Sequence, residues 1–152
     1  MLVERQRLKR TGRTLVFTNG CFDILHVGHV DCLAFARSQG DALVVGLNSD
    51  TSVKRSKGSK RPINNEGDRA RLLAALEAVD YIVIFDEDKP AAIVEALLPD
   101  VLVKGEDWVH CVSGREVVER NGGHVVLARK VQVQSTTNTI ARILEAETRE
   151  KT

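Results

Sequence analysis

The chain has 152 residues and a formal net charge of +1, with 43% hydrophobic and 28% charged residues. That balance describes one soluble globular domain and excludes a global electrostatic pull toward nucleic acid or an anionic membrane. No apolar run approaches the roughly 20 residues of a spanning helix. The charged start "MLVERQRLKR" has no secretion-signal core. Cys21, Cys32 and Cys111 lack a repeated spacing and read as reduced thiols of a cytoplasmic protein.

In chain order, residues 1–12 read as an N-terminal extension and "TLVFT" (Thr14–Thr18) as a buried strand. Val27–Gln39 has apolar residues at Val30, Leu33, Ala34 and Ala36 before Gly40, which predicts a helix. "ALVVGLN" (Ala42–Asn48) is a second buried strand. The polar, basic "SDTSVKRSKGSKRPINN" reads as a loop with room for one short helical turn. Glu66–Leu76 follows at helical spacing, then "YIVIF" (Tyr81–Phe85) as the third strand. Asp88 and Pro90 fit an N-cap and early helical position for a helix over Pro90–Leu98. "VLVK" (Val101–Lys104) is the fourth strand. Ser113 and Glu116 resemble a capping box for a helix ending near Gly122. "HVVLA" (His124–Ala128) is the fifth strand, and Ser135–Thr137 open a last helix that frays over 146–152. Fully apolar strands alternating with helices predict an α/β fold. Its core is a doubly wound, Rossmann-like parallel sheet of five strands in one domain spanning 1–152.

Such sheets bind ligands beyond the carboxyl ends of their strands, where strand order switches. "TNGCFDILHVGH" runs from the end of the first strand into the first predicted helix, and two of the four histidines lie there. A helix N-terminus presents unpaired N–H groups and partial positive charge. Residues three apart share a helix face, so His26 and His29 point together over an anion site. Gly28 and Gly20 allow phosphate or nucleotide to approach the backbone. Imidazoles placed so suit charge stabilisation in phosphoryl or nucleotidyl transfer. Neither a dinucleotide G-x-G-x-x-G nor a Walker A loop is present. Cys21, His26, His29 and Cys32 also spell C-x4-H-x2-H-x2-C. Zinc needs four converging ligands, however, and burial as small hydrophobes accounts equally for both thiols.

Lys54, Arg55, Lys57, Lys60 and Arg61 follow the second strand. They read as a solvated loop, or as a lid whose cations gather phosphates at the same sheet edge. No aromatics interleave them as a nucleic-acid surface would require. Asn48–Asp50 sit at a strand end, where they form a turn or touch an acceptor. Arg69 reaches the phosphates or pairs with Asp68 or another carboxylate. Lys104 and Gly105 end the fourth strand beside Glu106, Asp107 and Trp108. Ser135, Thr136 and Thr137 are helix caps or anion contacts. Asp23 orients a lysine or histidine, or shapes a turn.

Read together, "FTNGCFDILHVGHV", "GLNSDTSVKRSKGSKRPINNEGDRARLLAALEAVDYIVIF", "LLPDVLVKGEDW" and "STTNTI" resemble the cytidylyltransferase-like nucleotidyltransferases. His26, Gly28 and His29 match the family's H-x-G-H signature. Within that superfamily the run is similar to the heptose 1-phosphate adenylyltransferase domain of lipopolysaccharide-core synthesis. Glu106 departs from the more usual K-G-G-D turn, which leaves open how that turn meets base or sugar. The resemblance implies AMP transfer from ATP to a sugar 1-phosphate, with His26, His29 and Lys54 catalytic. It implies nucleotide contacts at Thr18, Asn19, Gly20, Cys21, Phe22, Gly28, His29, Lys104, Gly105, Ser135, Thr136 and Thr137. Acceptor and phosphate contacts fall on Asp23, Asn48, Lys54, Lys57, Arg61 and Arg69. Mg²⁺ enters with ATP, without a protein cage. The implied setting is a cytoplasmic homodimer, served by a separate sugar kinase and using neither nucleic acid nor membrane. A cytidylyltransferase acting on glycerol 3-phosphate or a similar alcohol phosphate, and a non-catalytic nucleotide-binding module, are the rival readings.

Overall fold

The computed structural model describes residues 1–106, 112–129 and 135–149. Five strands pair in parallel in the order β3-β2-β1-β4-β5. They are β1 (Leu15–Gly20), β2 (Ala42–Asn48), β3 (Tyr81–Phe85), β4 (Val101–Gly105) and β5 (His124–Ala128). The helices are α1 (Leu2–Arg10), α2 (Val27–Arg37), α3 (Asp50–Lys57), α4 (Glu66–Ala74), α5 (Ala91–Leu97), α6 (Arg115–Arg120) and α7 (Thr136–Arg149). Among the described residues, no helix is long and apolar enough to cross a membrane.

The inner strands β1, β2 and β4 are β-branched and apolar because both their faces are covered, while the edge strands β3 and β5 are only partly buried. Alternate residues point to opposite faces. Val16, Leu43, Val45, Leu47, Val101 and Val103 therefore pack with Leu33 and Ala36 of α2 and Leu73 of α4. Leu15, Phe17, Val44 and Leu102 pack on the other side with Leu8, Val94, Leu97 and Val118. Gly46, midway along β2, leaves space for this core. A Cβ there would lie 2.7 Å from Phe17 Cζ and 3.0 Å from the Asn19 Cβ. Gly46→Ala is therefore expected to destabilise the fold by about 1–3 kcal/mol through overpacking. Urea unfolding checks this, and an unchanged midpoint would contradict it.

Five local expectations change. The predicted N-terminal extension contains a core helix, since Leu8 of α1 is fully buried. Arg5 bonds the carbonyls of Leu97 and Leu98 and the carboxylate of Asp100. The first half of the basic loop is the helix α3, longer than the one short turn expected. Ser49 caps it by accepting the Ser52 N–H at 3.0 Å, and Lys54, Arg55 and Lys57 complement its carboxyl end. Its one buried apolar residue, Val53, is too little to show a helical period. Asp88 does not cap α5; it ion-pairs Arg55 at 2.7 Å, and Pro90 occupies the cap position. Ser113 does not cap α6 either, because Gly114 stands there with φ 91 and α6 begins at Arg115. Residues 146–149, expected to fray, continue α7; 150–152 lie outside the described residues.

Candidate active site

Strand order reverses at β1, which has β2 on one side and β4 on the other. The crevice beyond the carboxyl ends of β1 and β4 is therefore the switch point. Lys104 spans it, its Nζ donating to Asn19 Oδ1 at 2.5 Å. The chain leaves β1 at Gly20, turns through residues 21–25, and enters α2 with His26 as N-cap.

There the two imidazoles stack, with centroids 3.7 Å apart and planes inclined by 22°. Phe22 flanks the pair, its ring centroid 5.2 Å from that of His29. Phe22 has φ 47, a left-handed conformation rare for bulky residues. Gly20 accommodates that ring, since a Cβ there would stand 3.0 Å from Phe22 Cε2. Burial, with a smaller contribution from neighbouring His26, holds the His29 imidazole down at about 4. Burial lowers His26 as well. Both rings are neutral near pH 7 before any anion binds. Among the described residues, neither buried Nδ1 has a hydrogen-bond partner. Buried polar atoms are seldom left so, and such orphans point to a ligand, water or catalytic role.

The cationic side is built from α3 and the 58–65 segment. Lys54 and Lys57 are exposed and three residues apart on α3, so they share a face. Burial pushes the Cys21 thiol up, against the pull of Lys57, Arg69 and Arg61 and with a push from Asp23. The end of α3 thus bears electrostatically on the loop that carries the histidines. Arg61 donates from Nε to Asp23 at 2.5 Å. No bond among the described residues engages its terminal Nη groups, which leaves them available to an anion.

Three expected acceptor contacts are engaged by the protein itself. Asp23 is 1% exposed. Its carboxylate accepts Arg61 Nε and the N–H groups of Ile63 and Asn64, which lower its pKa against the opposing effect of burial. It shapes the loop instead of facing an acceptor. Arg69 is fully buried, and it pairs with Asp50, not Asp68. Asn48 is buried at the end of β2 and donates to Ser52 Oγ at 3.0 Å. Thr18 is buried within β1, and Gly105 ends β4. Ser135 Oγ accepts the Asn138 N–H at 3.1 Å, as a cap does. Thr136 Oγ1 donates to the Ile24 carbonyl at 3.3 Å, which sets the start of α7 beside the histidine loop; Thr137 is exposed. Cys21, His26, His29 and Cys32 do not gather as a metal set. Among the described residues, no group of three or more His, Cys, Asp or Glu side chains does. Asp107 and Trp108 lie outside the described residues. Sequence reasoning missed the left-handed Phe22 and left the carboxylate partner of Arg69 unnamed, because neither conformation nor long-range pairing leaves a local pattern.

The sequence pattern of the family described as Cytidylyltransferase-like matches residues 17–148, from the middle of β1 to the end of α7. The chain belongs to the cytidylyltransferase-like family. It is 57% identical over 139 residues to the "Bifunctional protein HldE" of Geobacter metallireducens, covering 91% of this chain and 28% of that protein. It is 53% identical over 142 residues to the protein of the same name from Aliarcobacter butzleri, covering 93% of this chain and 29% of that one. The chain thus spans less than a third of the length of these curated relatives. A solved lipopolysaccharide core biosynthesis protein from Thermoplasma volcanium superposes with a TM-score of 0.64 at 29% identity, over 81% of this chain and 100% of that one. A pantoate–beta-alanine ligase from Francisella tularensis shares the fold, with a TM-score of 0.60 at 14% identity, over 88% of this chain and 66% of that one. The matched span contains the stacked His26–His29 pair.

Proposed function

We propose that the chain transfers AMP from ATP to a sugar 1-phosphate, heptose 1-phosphate, giving ADP-heptose and pyrophosphate for lipopolysaccharide core or a related glycan. The observation that carries this reading is the stacked pair of imidazoles at the start of α2, beside the β1–β4 switch point, whose buried Nδ1 atoms have no partner among the described residues. The resemblance of the motifs to heptose 1-phosphate adenylyltransferases supports the acceptor. So does the likeness to a lipopolysaccharide core biosynthesis protein.

An oxygen of the acceptor phosphate attacks the α-phosphorus in line. The bond from the α-phosphorus to its bridging oxygen breaks, and pyrophosphate leaves with that electron pair. The nucleophile is already an anion and needs no general base. The protein's contribution is positioning and charge stabilisation. His26 and His29 donate to the oxygens of the crowded phosphorus. Lys54, Lys57 and the free end of Arg61 draw the two polyanions together. Ser135 and Thr136, at the start of α7, lie toward the departing pyrophosphate. Mg²⁺ belongs to the triphosphate, whose oxygens and waters it favours; it neutralises phosphate charge there. The active species is a cytoplasmic homodimer, and the sugar 1-phosphate comes from a sugar kinase reaction.

The family's description as Cytidylyltransferase-like favours CTP as the rival nucleotide, and glycerol 3-phosphate is the acceptor paired with it in that reading. Pyrophosphate release is therefore measured with ATP and CTP, each paired with heptose 1-phosphate and with glycerol 3-phosphate. Release confined to ATP with heptose 1-phosphate is the expected result. Release with CTP alone supports the rival, and nucleotide binding without release in any pairing indicates a binding module.

A further inference from the structure

We propose that Arg69 is a positioning residue that sets the His29 imidazole and the lysine helix α3 in register through a single guanidinium. The inference rests on the adenylyl-transfer reading for its kinetic consequences, not for its geometry. Arg69 is 0% exposed, yet it carries a full charge into the interior. Its fork reaches three separate segments. Nε donates to the Asn64 carbonyl at 3.0 Å, Nη1 to the Cys21 carbonyl at 2.5 Å, and Nη2 to Asp50 Oδ1 at 2.8 Å. A planar guanidinium holds such directions at once, which an ammonium cannot.

Two of these bonds lead to the proposed chemistry. The Cys21 carbonyl lies immediately before Phe22. Immediately after it, Asp23 is fixed by Arg61, Ile63 and Asn64, and Asn64 Nδ2 also donates to the Asp23 carbonyl at 2.8 Å. Phe22 is thus bracketed on both sides. A left-handed conformation in a bulky residue persists only where the surroundings over-determine it. The ring so placed packs on His29, which stacks on His26. In the other direction, Asp50 is the first residue of α3, and its N–H donates to Glu66 at 2.8 Å. The helix carrying Lys54 and Lys57 is therefore tied to the same guanidinium. An arginine serving the fold alone would stabilise the core without linking these two groups.

The test uses the full chain with Arg69→Lys, Asp50→Ala and Asp50→Glu. Asp50→Ala leaves both carbonyl bonds of Arg69 in place, so it serves if Arg69→Lys does not fold. The first readout needs no substrate: the ring-proton resonances of His29 by NMR, and amide exchange over 21–29 and 50–57. In Arg69→Lys the His29 resonances are expected to shift, and both segments to exchange at least about tenfold faster. In Asp50→Ala, faster exchange over 50–57 is expected to spread to 21–29, with Asp50→Glu restoring most of it. The second readout separates kcat from KM. Misplacement of this kind can cost about 10²-fold in kcat, with the KM for ATP moving less than about threefold. Folded variants that keep kcat within about twofold and leave the His29 resonances in place would reduce Arg69 to a stabilising residue. Exchange in Asp50→Ala that rises over 50–57 but not over 21–29 would also overturn the coupling. If the wild type turns over no acceptor, the adenylyl-transfer reading fails, and the NMR and exchange data still decide the clamp.

Discussion

His29→Ala is expected to lower kcat for pyrophosphate release by about 10²–10³-fold, the scale for loss of one donor to a transition-state oxyanion. Negative charge grows on the α-phosphate oxygens as the fifth ligand arrives, so an imidazole donor acts more on the transition state than on bound ATP. The KM for ATP should therefore change much less than kcat. The substitution also removes the ring on which His26 stacks, so loss of order in the second donor adds to the effect. Collapse of the fold is not the expected cause. His29 Nδ1 is buried without a partner among the described residues, and deleting an unsatisfied polar atom offsets part of the lost packing. Stopped-flow or coupled pyrophosphate assays, with a thermal melt beside them, check this. A folded His29→Ala protein turning over within about threefold of the wild type would remove the imidazole pair from the chemistry.

The second large effect is on stability against acid. The folded-state pKa of His29 is depressed to about 4 from 6.5. Well above pH 7 the ring is neutral in both folded and unfolded chains, and this site adds nothing to the pH dependence. As pH falls through 6.5, the unfolded chain takes up a proton that the folded site refuses. The unfolded state then binds more protons, and stability drops with falling pH until about pH 4. At 1.36 kcal/mol per pH unit of displacement, the loss is about 3 kcal/mol, a large share of an ordinary domain's stability. His26 acts in the same direction. Asp23 is a separate case. Its pKa is lowered in the fold, so its contribution is complete above the ordinary Asp range and fades only at more acidic pH. Urea unfolding at steps from pH 7 to pH 4.5 should show the decline, and His29→Leu should flatten much of it. A wild-type profile as flat as that of the variant would contradict the buried neutral state. Added ATP should oppose the decline, because phosphate beside the rings favours their charged forms.

The amino-acid order alone determined the elements that bury themselves by composition. The runs at 15–20, 42–48, 81–85, 101–105 and 124–128 are strands because of their β-branched and aliphatic residues, which fill two covered faces in the inner strands and one in the edge strands. It also placed the histidine pair, since an H-x-G-H between a strand and a helix is a local pattern whose spacing puts both rings on one side. Folding decided what depends on residues far apart in the chain. The switch point lies beside β1 because β4, the fourth strand in sequence, pairs with the first, and no local window records which strand becomes a neighbour. The segment after β2 became a helix through its Ser49 cap and one buried valine, where solvated lysines hid any period. The sequence leaves several roles open for Arg69 and Asp23 and gives no sign of their burial. The structure buries both, because each finds partners distant in sequence, Asp50 and Cys21 for Arg69 and Arg61 for Asp23, and a buried charge is stable only when so paired. Phe22 takes a backbone conformation that its own side chain disfavours, and only the contacts on either side of it make that possible.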